Sequence, residues 1–204
     1  MSGDPPPRAP AAARNAAPIL EALLRLLGPE DRVLEIGSGT GEHVVRFAAA
    51  MPGTRWQPSD LAGRLPTLRR RLDAEAPPNV APALALDVTR DPWPEGPFDA
   101  CLTINTFHIV SAGAVASVFG GAATRLRPGG RLIVYGPVNV DGAYTSAGNR
   151  EFDRYLRAAD PESGLRDLAE LDAFAKAVGL ARESVLEMPA NNRLAVWRRP
   201  DAPA

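Results

Sequence analysis

Residues 32–43 read RVLEIGSGTGEH, and this stretch decides the fold of the chain. Val33, Leu34 and Ile36 form a short apolar run with β-branched members, which predicts a buried strand. Three glycines then break the run, and the apolar side chains within 44–48 predict a helix directly after them. A strand that passes through glycines into a helix is typical of ligand loops in open α/β sheets, because bare backbone can approach a ligand there.

Strands and helices alternate along the rest of the chain. Apolar patterning predicts further strands at 54–60, 80–87, 98–105, 131–136, 183–188 and 194–198, and helices at 14–27, 61–74, 111–126, 149–158 and 168–178. This alternation predicts an α/β fold with a doubly wound, mostly parallel sheet. The last two strands are joined by a short turn, so we expect them to be antiparallel. The polar segment 137–164 is too long for a plain connector and is a candidate lid or substrate loop.

Composition and charge narrow the possible classes of protein. The chain has 204 residues, 45% of them hydrophobic, which suits one core and predicts a single domain at 14–200. Lys+Arg 23 against Asp+Glu 24 leaves no cationic excess, so we do not expect nucleic acid as a partner. Cys101 is the single cysteine, and without a Cys/His cluster we expect no metal site.

The first residues and the apolar runs bear on location. Residues 1–13 are rich in Pro and Ala and lack the apolar stretch of a signal peptide, which predicts a flexible tail. No apolar run approaches the roughly 20 residues needed to cross a bilayer. We therefore expect a cytoplasmic protein without membrane association.

The glycine spacing excludes two common nucleotide motifs. A dinucleotide fingerprint needs a third glycine five residues after the first, and Glu42 occupies that place. A phosphate-binding P-loop needs Gly-Lys followed by Ser or Thr, and the sequence has no such run. Glu35 and Glu42 flank the turn and would repel a pyrophosphate. The same acidity suits a ligand that carries a positive sulfonium and a free ammonium.

Two further acids end the next two predicted strands. Asp60 lies 23 positions after Gly37, where a carboxylate can accept both hydroxyls of a ribose. Asp87 ends the following strand and is placed for an adenine amino group. The alternative for both acids is plain turn formation. Taken with the loop, they fit S-adenosyl-L-methionine (SAM) better than NAD or ATP.

The chain also resembles a known family. The run VLEIGSGTGEH, the strand-end residues Asp60, Asp87 and Asn105, and the segment RLRPGGRLIVYG are similar to class I SAM-dependent methyltransferases. That resemblance implies a seven-stranded sheet with an antiparallel last strand. A narrower resemblance, to the methyltransferase-like group known as domain of unknown function 938, is carried by residues 14–15, 56–60, 86–88, 135–137, 145–146 and 188–192.

The resemblance implies roles for individual residues. Cofactor contacts are expected from Arg14, Asn15, Glu35, Gly37, Ser38, Gly39, Gly41, Asp60, Asp87, Val88 and Asn105. Glu35 would meet the amino group of the methionine moiety, unless it is a buried structural acid. Arg14 and Asn15 either open the first helix, since Asn is a good N-cap, or close over the glycine loop. In the second case Arg14 would meet the SAM carboxylate.

Two residues are candidates for catalysis. His108 lies three positions after Asn105, at the end of the fourth predicted strand, where a histidine can take a proton from a nucleophile. The alternative is a packed, hydrogen-bonded loop histidine. Tyr144 is a second candidate, on the polar segment after the fifth strand. His43, in the helix after the glycines, is interpreted as structural.

The remaining candidates belong to a substrate pocket. They are polar side chains around the long segment and the last turn: His108, Tyr144, Ser146, Asn149, Asn191 and Asn192. Asn191 and Asn192 also suit a tight turn with positive φ, which is the stronger interpretation.

The sequence therefore predicts a methyltransferase that acts on a small-molecule acceptor by direct displacement of the sulfonium methyl, with S-adenosylhomocysteine as product. Residues 105–108 read NTFH rather than the Asn/Asp-Pro-Pro-Tyr pattern of enzymes that methylate planar amides and nucleobase amino groups. That difference disfavours nucleic acid and protein glutamine as targets. A non-catalytic SAM-binding partner or regulatory protein is the main alternative. An NAD-linked enzyme is a weaker one, because the glycine spacing opposes it.

Overall fold

The structure is a computed structural model that describes residues 10–201 of the chain. Its helices are α1 Pro10–Leu26, α2 Glu42–Ala50, α3 Leu65–Glu75, α4 Ala112–Arg125, α5 Ala147–Ala159 and α6 Leu168–Ala177. Its strands are β1 Arg32–Ile36, β2 Arg55–Asp60, β3 Leu84–Ala85, β4 Phe98–Ile104, β5 Leu126–Gly136, β6 Ala181–Met188 and β7 Asn192–Arg198. Short 3-10 turns at Ala62–Arg64 and Pro189–Asn191 precede α3 and β7.

Within the described residues, seven strands form one mixed sheet in the order β3-β2-β1-β4-β5-β7-β6. The pairs β1–β2, β2–β3 and β4–β5 are parallel, whereas β7 is antiparallel to both β5 and β6. The α/β class, the mostly parallel seven-stranded sheet and the antiparallel last strand are all confirmed.

The chain divides into two compact units, Met1–Asp87 (unit 1) and Val88–Ala204 (unit 2). Unit 1 holds β1 to β3 with α1 to α3, and unit 2 holds β4 to β7 with α4 to α6. The single domain expected over 14–200 stays a prediction.

The core of unit 1 surrounds β1 and β2. Val33 and Leu34 are fully buried, and the rings of Phe47 and Trp56 lie 5.9 Å apart between their centroids. The Asn79 side-chain amide donates to three backbone carbonyls at the end of α2 and the start of β2, which joins these elements. Buried apolar side chains thus fix where β1 ends and the glycines begin.

The core of unit 2 lies around α4 and β7. Phe119 packs edge-on against Trp197, with ring centroids 5.1 Å apart, and the Trp197 indole N–H donates to Asp172 at 2.9 Å. Gly121 on α4 leaves room for Trp93, because a Cβ at Gly121 would lie 1.9 Å from the indole ring. Trp93 is therefore a packing aromatic in unit 2.

Three local expectations were wrong. Helix α1 begins at Pro10, so residues 10–13 of the expected tail are helical, while 1–9 lie outside the described residues. Alanine is the strongest helix former and proline is tolerated in a first turn, so the composition that suggested a tail also permits a helix. The helix start also rules out Asn15 as its N-cap. In the described residues, no helix has both the length and the apolar character to cross a membrane.

Strand β3 is much shorter than the predicted 80–87. Pro82 has no N–H to donate, which breaks the ladder after a single bridge between Trp56 and Val80. Asp87 consequently lies two residues beyond Leu84–Ala85 rather than at its last position. On α3, Arg71 is buried, whereas Arg69 and Arg70 are exposed.

Candidate functional site

In unit 1 the glycine loop that follows β1 has an unusual backbone. Gly37, Gly39 and Gly41 have φ of 74°, 57° and 80°, a region that favours glycine. The amides of Gly37 and Ser38 both donate to the Ser59 carbonyl at 2.9 Å, and the Gly41 amide donates to the Ser38 carbonyl at 2.9 Å. The loop is therefore a fixed turn held by β2.

Two of these glycines need their missing side chain for different reasons. A Cβ at Gly41 would lie 2.9 Å from a Leu68 methyl, so this position is closed by packing. A Cβ at Gly39 would meet nothing within 4 Å, so the backbone there faces open space. The open position is the one where a ligand can approach the chain closely.

Asp60 at the end of β2 is 5% exposed and binds the loop directly. Its Oδ2 accepts from the Gly39 amide at 2.7 Å, and its Oδ1 accepts from the Leu61 amide at 2.8 Å. Each carboxylate oxygen has a second lone pair, so acceptor capacity remains. Sequence patterning indicated a ribose contact, and the structure adds that Asp60 shapes the loop.

Glu35 in β1 is 2% exposed, and its Oε2 is buried with no hydrogen-bond partner among the described residues. Burial raises the pKa of its carboxyl to about 7; a hydrogen bond from Ser38 opposes the rise, and the charge of Asp60 adds to it. A buried carboxylate oxygen without a donor fits the expected ammonium contact, since an ammonium would supply both charge and hydrogen bond.

The α1 candidates separate in the structure. Asn15 is buried, and its Oδ1 lies 2.8 Å from His43 Nε2. Burial and the nearby Arg46 lower the pKa of His43 to about 4, so the ring is neutral near pH 7. Arg14 is exposed. The structural interpretation of His43 agrees with this packing, and a cofactor contact for Arg14 or Asn15 stays a prediction.

Arg71 in α3 is a loop-holding residue that patterning missed. Its Nε donates to the Thr40 carbonyl at 2.7 Å inside the glycine loop, and its Nη1 donates to both carboxylate oxygens of Glu75 at 3.0 Å. Its Nη2 lies 3.4 Å from Glu42. A run of three arginines is typical of a solvated helix face, and no local signal in the sequence marks the third arginine as buried.

In unit 2 the loop that follows β4 carries Asn105 and His108. Asn105 adopts a left-handed conformation with φ 55°, and its amide donates to the Tyr135 carbonyl at 2.8 Å. Gly136, at the end of β5, faces both side chains: its Cβ position would lie 3.7 Å from His108 Nδ1 and 3.8 Å from Asn105 Oδ1. The structure thus brings these two candidates together over a glycine. Contact of Asn105, or of half-buried Val88, with a cofactor stays a prediction.

His108 is 7% exposed, and its ring packs edge-on against Phe152 of α5 with centroids 5.3 Å apart. Burial lowers the pKa of its imidazole to about 4. The side chain is neutral near pH 7 and can accept a proton, although its basicity is low. Both sequence interpretations, base and packed loop histidine, are compatible with this environment.

Tyr144 is committed to a partner on α5. Its hydroxyl donates to Asp153 Oδ2 at 2.8 Å, a bond that raises the pKa of the phenol. Arg157 donates to the same oxygen at 2.9 Å, and Arg150 lies over the Tyr144 ring at 5.6 Å. Tyr144 therefore belongs to a polar cluster centred on Asp153.

The other pocket candidates form local structure. Ser146 caps α5, its Oγ accepting from the Asn149 amide at 3.0 Å. The Asn149 side chain donates to Thr145 at 2.8 Å and to the Asn191 carbonyl at 3.3 Å, so these three residues do meet. Asn191 has φ 56°, which confirms the tight turn, whereas Asn192 begins β7 with φ −82°.

The fold matches those of solved methyltransferases. An O-methyltransferase family protein from Burkholderia thailandensis has a TM-score of 0.78 at 18% identity, covering 95% of this chain and 58% of that one. Human N-acetylserotonin methyltransferase in complex with SAM has a TM-score of 0.80 at 14% identity, and the match covers 93% of this chain and 53% of that one. An O-methyltransferase family 2 protein from Planctomyces limnophilus in complex with apigenin has a TM-score of 0.79 at 17% identity. That match covers 93% of this chain and 57% of that one. These likenesses define a Rossmann-like methyltransferase fold. The chain spans little more than half the length of these structures.

The particular family follows from the sequence. A family model described as a protein of unknown function, DUF938, matches residues 6–199. The match covers nearly the whole chain, and the protein belongs to this family. The narrower resemblance carried by the six short segments is thereby confirmed.

Proposed function

We propose that this protein is a SAM-dependent methyltransferase that acts on a small molecule. The observation that carries the proposal is the glycine loop of unit 1, where open backbone at Gly39 lies beside the buried acids Glu35 and Asp60. A neutral or anionic nucleotide could offer ribose hydroxyls to Asp60 but no positive charge to these two buried carboxyl groups. A cofactor with a sulfonium and an ammonium offers them a donor and a positive charge.

Each residue then has a distinct task in holding the cofactor. Glu35 Oε2, which has no partner among the described residues, accepts from the ammonium of the methionine moiety. Asp60 keeps the Gly39 amide in place and uses its free lone pairs for ribose hydroxyls. The loop amides need no rearrangement on binding because β2 already fixes them. Asp87 and Val88 remain our candidates for the adenine, and Asn105 for the region of the sulfonium.

SAM supplies an electrophilic methyl group. In the transfer, the acceptor nucleophile forms a bond to the methyl carbon while the carbon–sulfur bond breaks and its electron pair stays on sulfur. The protein contributes mostly by positioning and by excluding water. With its low pKa, neutral His108 orients an acceptor by hydrogen bonding or takes the proton of an acidic one. Tyr144 is engaged by Asp153, so we place it in the lining of the acceptor site.

A second candidate function has one observation in its favour. The polar groups expected above the methyl are largely satisfied within unit 2: Tyr144 by Asp153, Asn149 by Thr145, and His108 packed under Phe152. A non-catalytic SAM-binding protein would show such internal pairing. We rank it second because His108 and Asn105 face a glycine rather than a filled position.

Titration calorimetry tests the cofactor. We expect SAM and S-adenosylhomocysteine to bind one site per chain and NAD not to bind. Gly39→Val should abolish SAM binding, because its side chain would fill the open space. Gly63→Val, at an exposed glycine that also has nothing within 4 Å, is the matched control. NAD binding without SAM binding would sink the proposal.

Methyl transfer itself needs an acceptor screen. The protein, SAM carrying a ¹³C-labelled methyl group and a fractionated metabolite extract are incubated, and labelled products are sought by mass spectrometry. Catalysis predicts labelled products that Gly39→Val does not form. SAM binding with no labelled product in any fraction, together with capture of a protein partner, would favour the second candidate.

A further inference from the structure

Half of the connector between α5 and α6 is buried, unlike most loops. Residues 163–166, called the strap below, are all buried. Connecting segments usually run over the surface, since their backbone polar groups need water. Here the strap instead places those groups against other backbone of unit 2, which requires a partner for each.

The side chain of Arg166 makes the first set of contacts between the strap and the loop that follows β4. The residue is 7% exposed, and its Nε donates to the Phe107 carbonyl at 3.3 Å. Nη2 donates to the carbonyls of Val110 and Glu162, the latter at 2.7 Å. Among the described residues no carboxylate lies within ion-pair distance of this cation. A buried charge held only by carbonyl dipoles is expensive, so the site depends on the planar fork of arginine.

The strap backbone holds the same loop at its centre. The Gly164 amide donates to the His108 carbonyl at 3.0 Å. Two strap residues, Gly164 and Arg166, thus bind the carbonyls of Phe107, His108 and Val110. The His108 ring projects from a backbone that is fixed on both sides.

Asp153 of α5 fastens the other side of the strap. It is 2% exposed, and its Oδ1 accepts from the Leu165 amide at 2.7 Å. Its Oδ2 accepts from Tyr144 and Arg157. Burial raises the pKa of this carboxyl, but the hydrogen bonds from Arg157, Tyr144 and the Leu165 amide outweigh burial and lower it below its ordinary value. Asp153 therefore stays ionised and keeps the strap on α5.

We propose that Arg166 is a positioning residue that sets the place of the His108 ring through the strap, so that residues distant in sequence determine how the acceptor is presented. The proposal rests on the proposed function, because the ring position matters only if His108 serves the acceptor. Arg166 touches neither cofactor nor acceptor and acts through the loop backbone.

The protein has two histidines, which makes the test direct. Each imidazole gives a separate ¹H–¹³C resonance, and His43→Gln assigns them. In Arg166→Met we expect the His108 resonance to move and to titrate closer to the ordinary pKa of 6.5, because the ring becomes more exposed. The His43 resonance, which reports on unit 1, should keep its position. Arg166→Lys keeps the positive charge but not the planar guanidinium. Its His108 resonance should therefore lie between those of the wild-type protein and Arg166→Met.

Arg154→Met, at an exposed arginine on α5, is the matched control and should leave both resonances unchanged. With an acceptor in hand, Arg166→Met should lower kcat by about 100-fold with SAM Kd within twofold of the wild-type value. An unchanged His108 resonance in folded Arg166→Met would overturn the proposal. If SAM does not bind at all, the proposed function fails, while the resonance test of the strap stands on its own.

Hydrogen exchange of the wild-type protein covers the case in which Arg166→Met does not fold. The Gly164 and Leu165 amides should exchange as slowly as amides of β5, because both are bonded inside buried structure. Exchange as fast as that of exposed loop amides would show that the strap does not hold the loop, and would overturn the proposal.

Discussion

Two loops follow parallel strands of this protein, and they are held by contacts that span different distances in the sequence. The glycine loop of unit 1 is held by the Ser59 carbonyl and the side chains of Asp60 and Arg71, and Gly39 faces open space. The His108 loop of unit 2 presents a ring and is held by the strap, whose Arg166 lies 59 residues from Phe107 in sequence. The three glycines, all with positive φ, set the shape of the first loop within its own sequence. The second loop depends more on distant support, because Gly164 and Arg166 bind its backbone carbonyls.

Replacing the glycines should break the glycine loop most severely. We expect Gly41→Ala to lower the free energy of unfolding by about 2–4 kcal/mol, through left-handed strain and the clash with Leu68. Gly39→Ala should cost about 1–2 kcal/mol, since only strain applies. Gly63→Ala should be neutral or slightly stabilising. Urea unfolding measures all three, and equal losses for Gly39 and Gly41 would contradict the packing difference.

Removing one acceptor from Asp60 should weaken SAM binding next most. In Asp60→Asn, the amide nitrogen cannot accept from Gly39 or Leu61, so the loop loses a charge-assisted bond. We expect SAM Kd to rise by about 10–100-fold, corresponding to roughly 1.5–3 kcal/mol. Asp73→Asn, at an exposed acid on α3, is the control and should bind normally. Normal SAM binding by folded Asp60→Asn would remove the carboxylate from the site.

The raised pKa of Glu35 predicts a smaller, pH-dependent effect. An ammonium favours the ionised carboxylate, so SAM binding releases a proton below pH 7, and affinity should rise about five- to tenfold from pH 6 to pH 7.5. In the protein without SAM, the contribution of Glu35 to the free energy of unfolding changes with pH in the opposite direction. The contribution of Glu35 is fully present below its unfolded pKa of 4.5 and is lost as pH rises through 7. Titration calorimetry in buffers of different ionisation enthalpy measures how many protons are released when SAM binds. Glu35→Gln should bind more weakly and without this pH dependence; an unchanged pH profile would assign the effect to another group.

Arg14 should give the smallest effect. An exposed arginine near a carboxylate contributes about 0.2–1 kcal/mol, so Arg14→Ala should raise SAM Kd by no more than about fivefold at low salt. The difference should vanish at high salt because exposed charges are screened. Arg25→Ala, further along α1, is the control. A salt-independent loss would instead indicate a buried contact made by Arg14 on binding.

The sequence predicted the glycine loop well and the His108 loop only in part. The strand, the glycines and Asp60 follow from local spacing, and the structure gives each of them the expected place. Asp87 was placed less accurately, because Pro82 shortens β3 in a way that apolar patterning does not reveal. Arg71 and Arg166 were not identified as supports for the two loops, since a buried arginine and a solvated one look alike in sequence.

The sequence by itself determined the α/β fold, the antiparallel last strand and the position of the glycine loop, because these depend on residue type and short-range spacing. Only the tertiary structure decided that Arg71 binds the Thr40 carbonyl, that Asp153 fastens the strap and that Arg166 holds the backbone around His108. These contacts join segments far apart in the chain. Their energetics depend on burial, which exists only once the elements have packed.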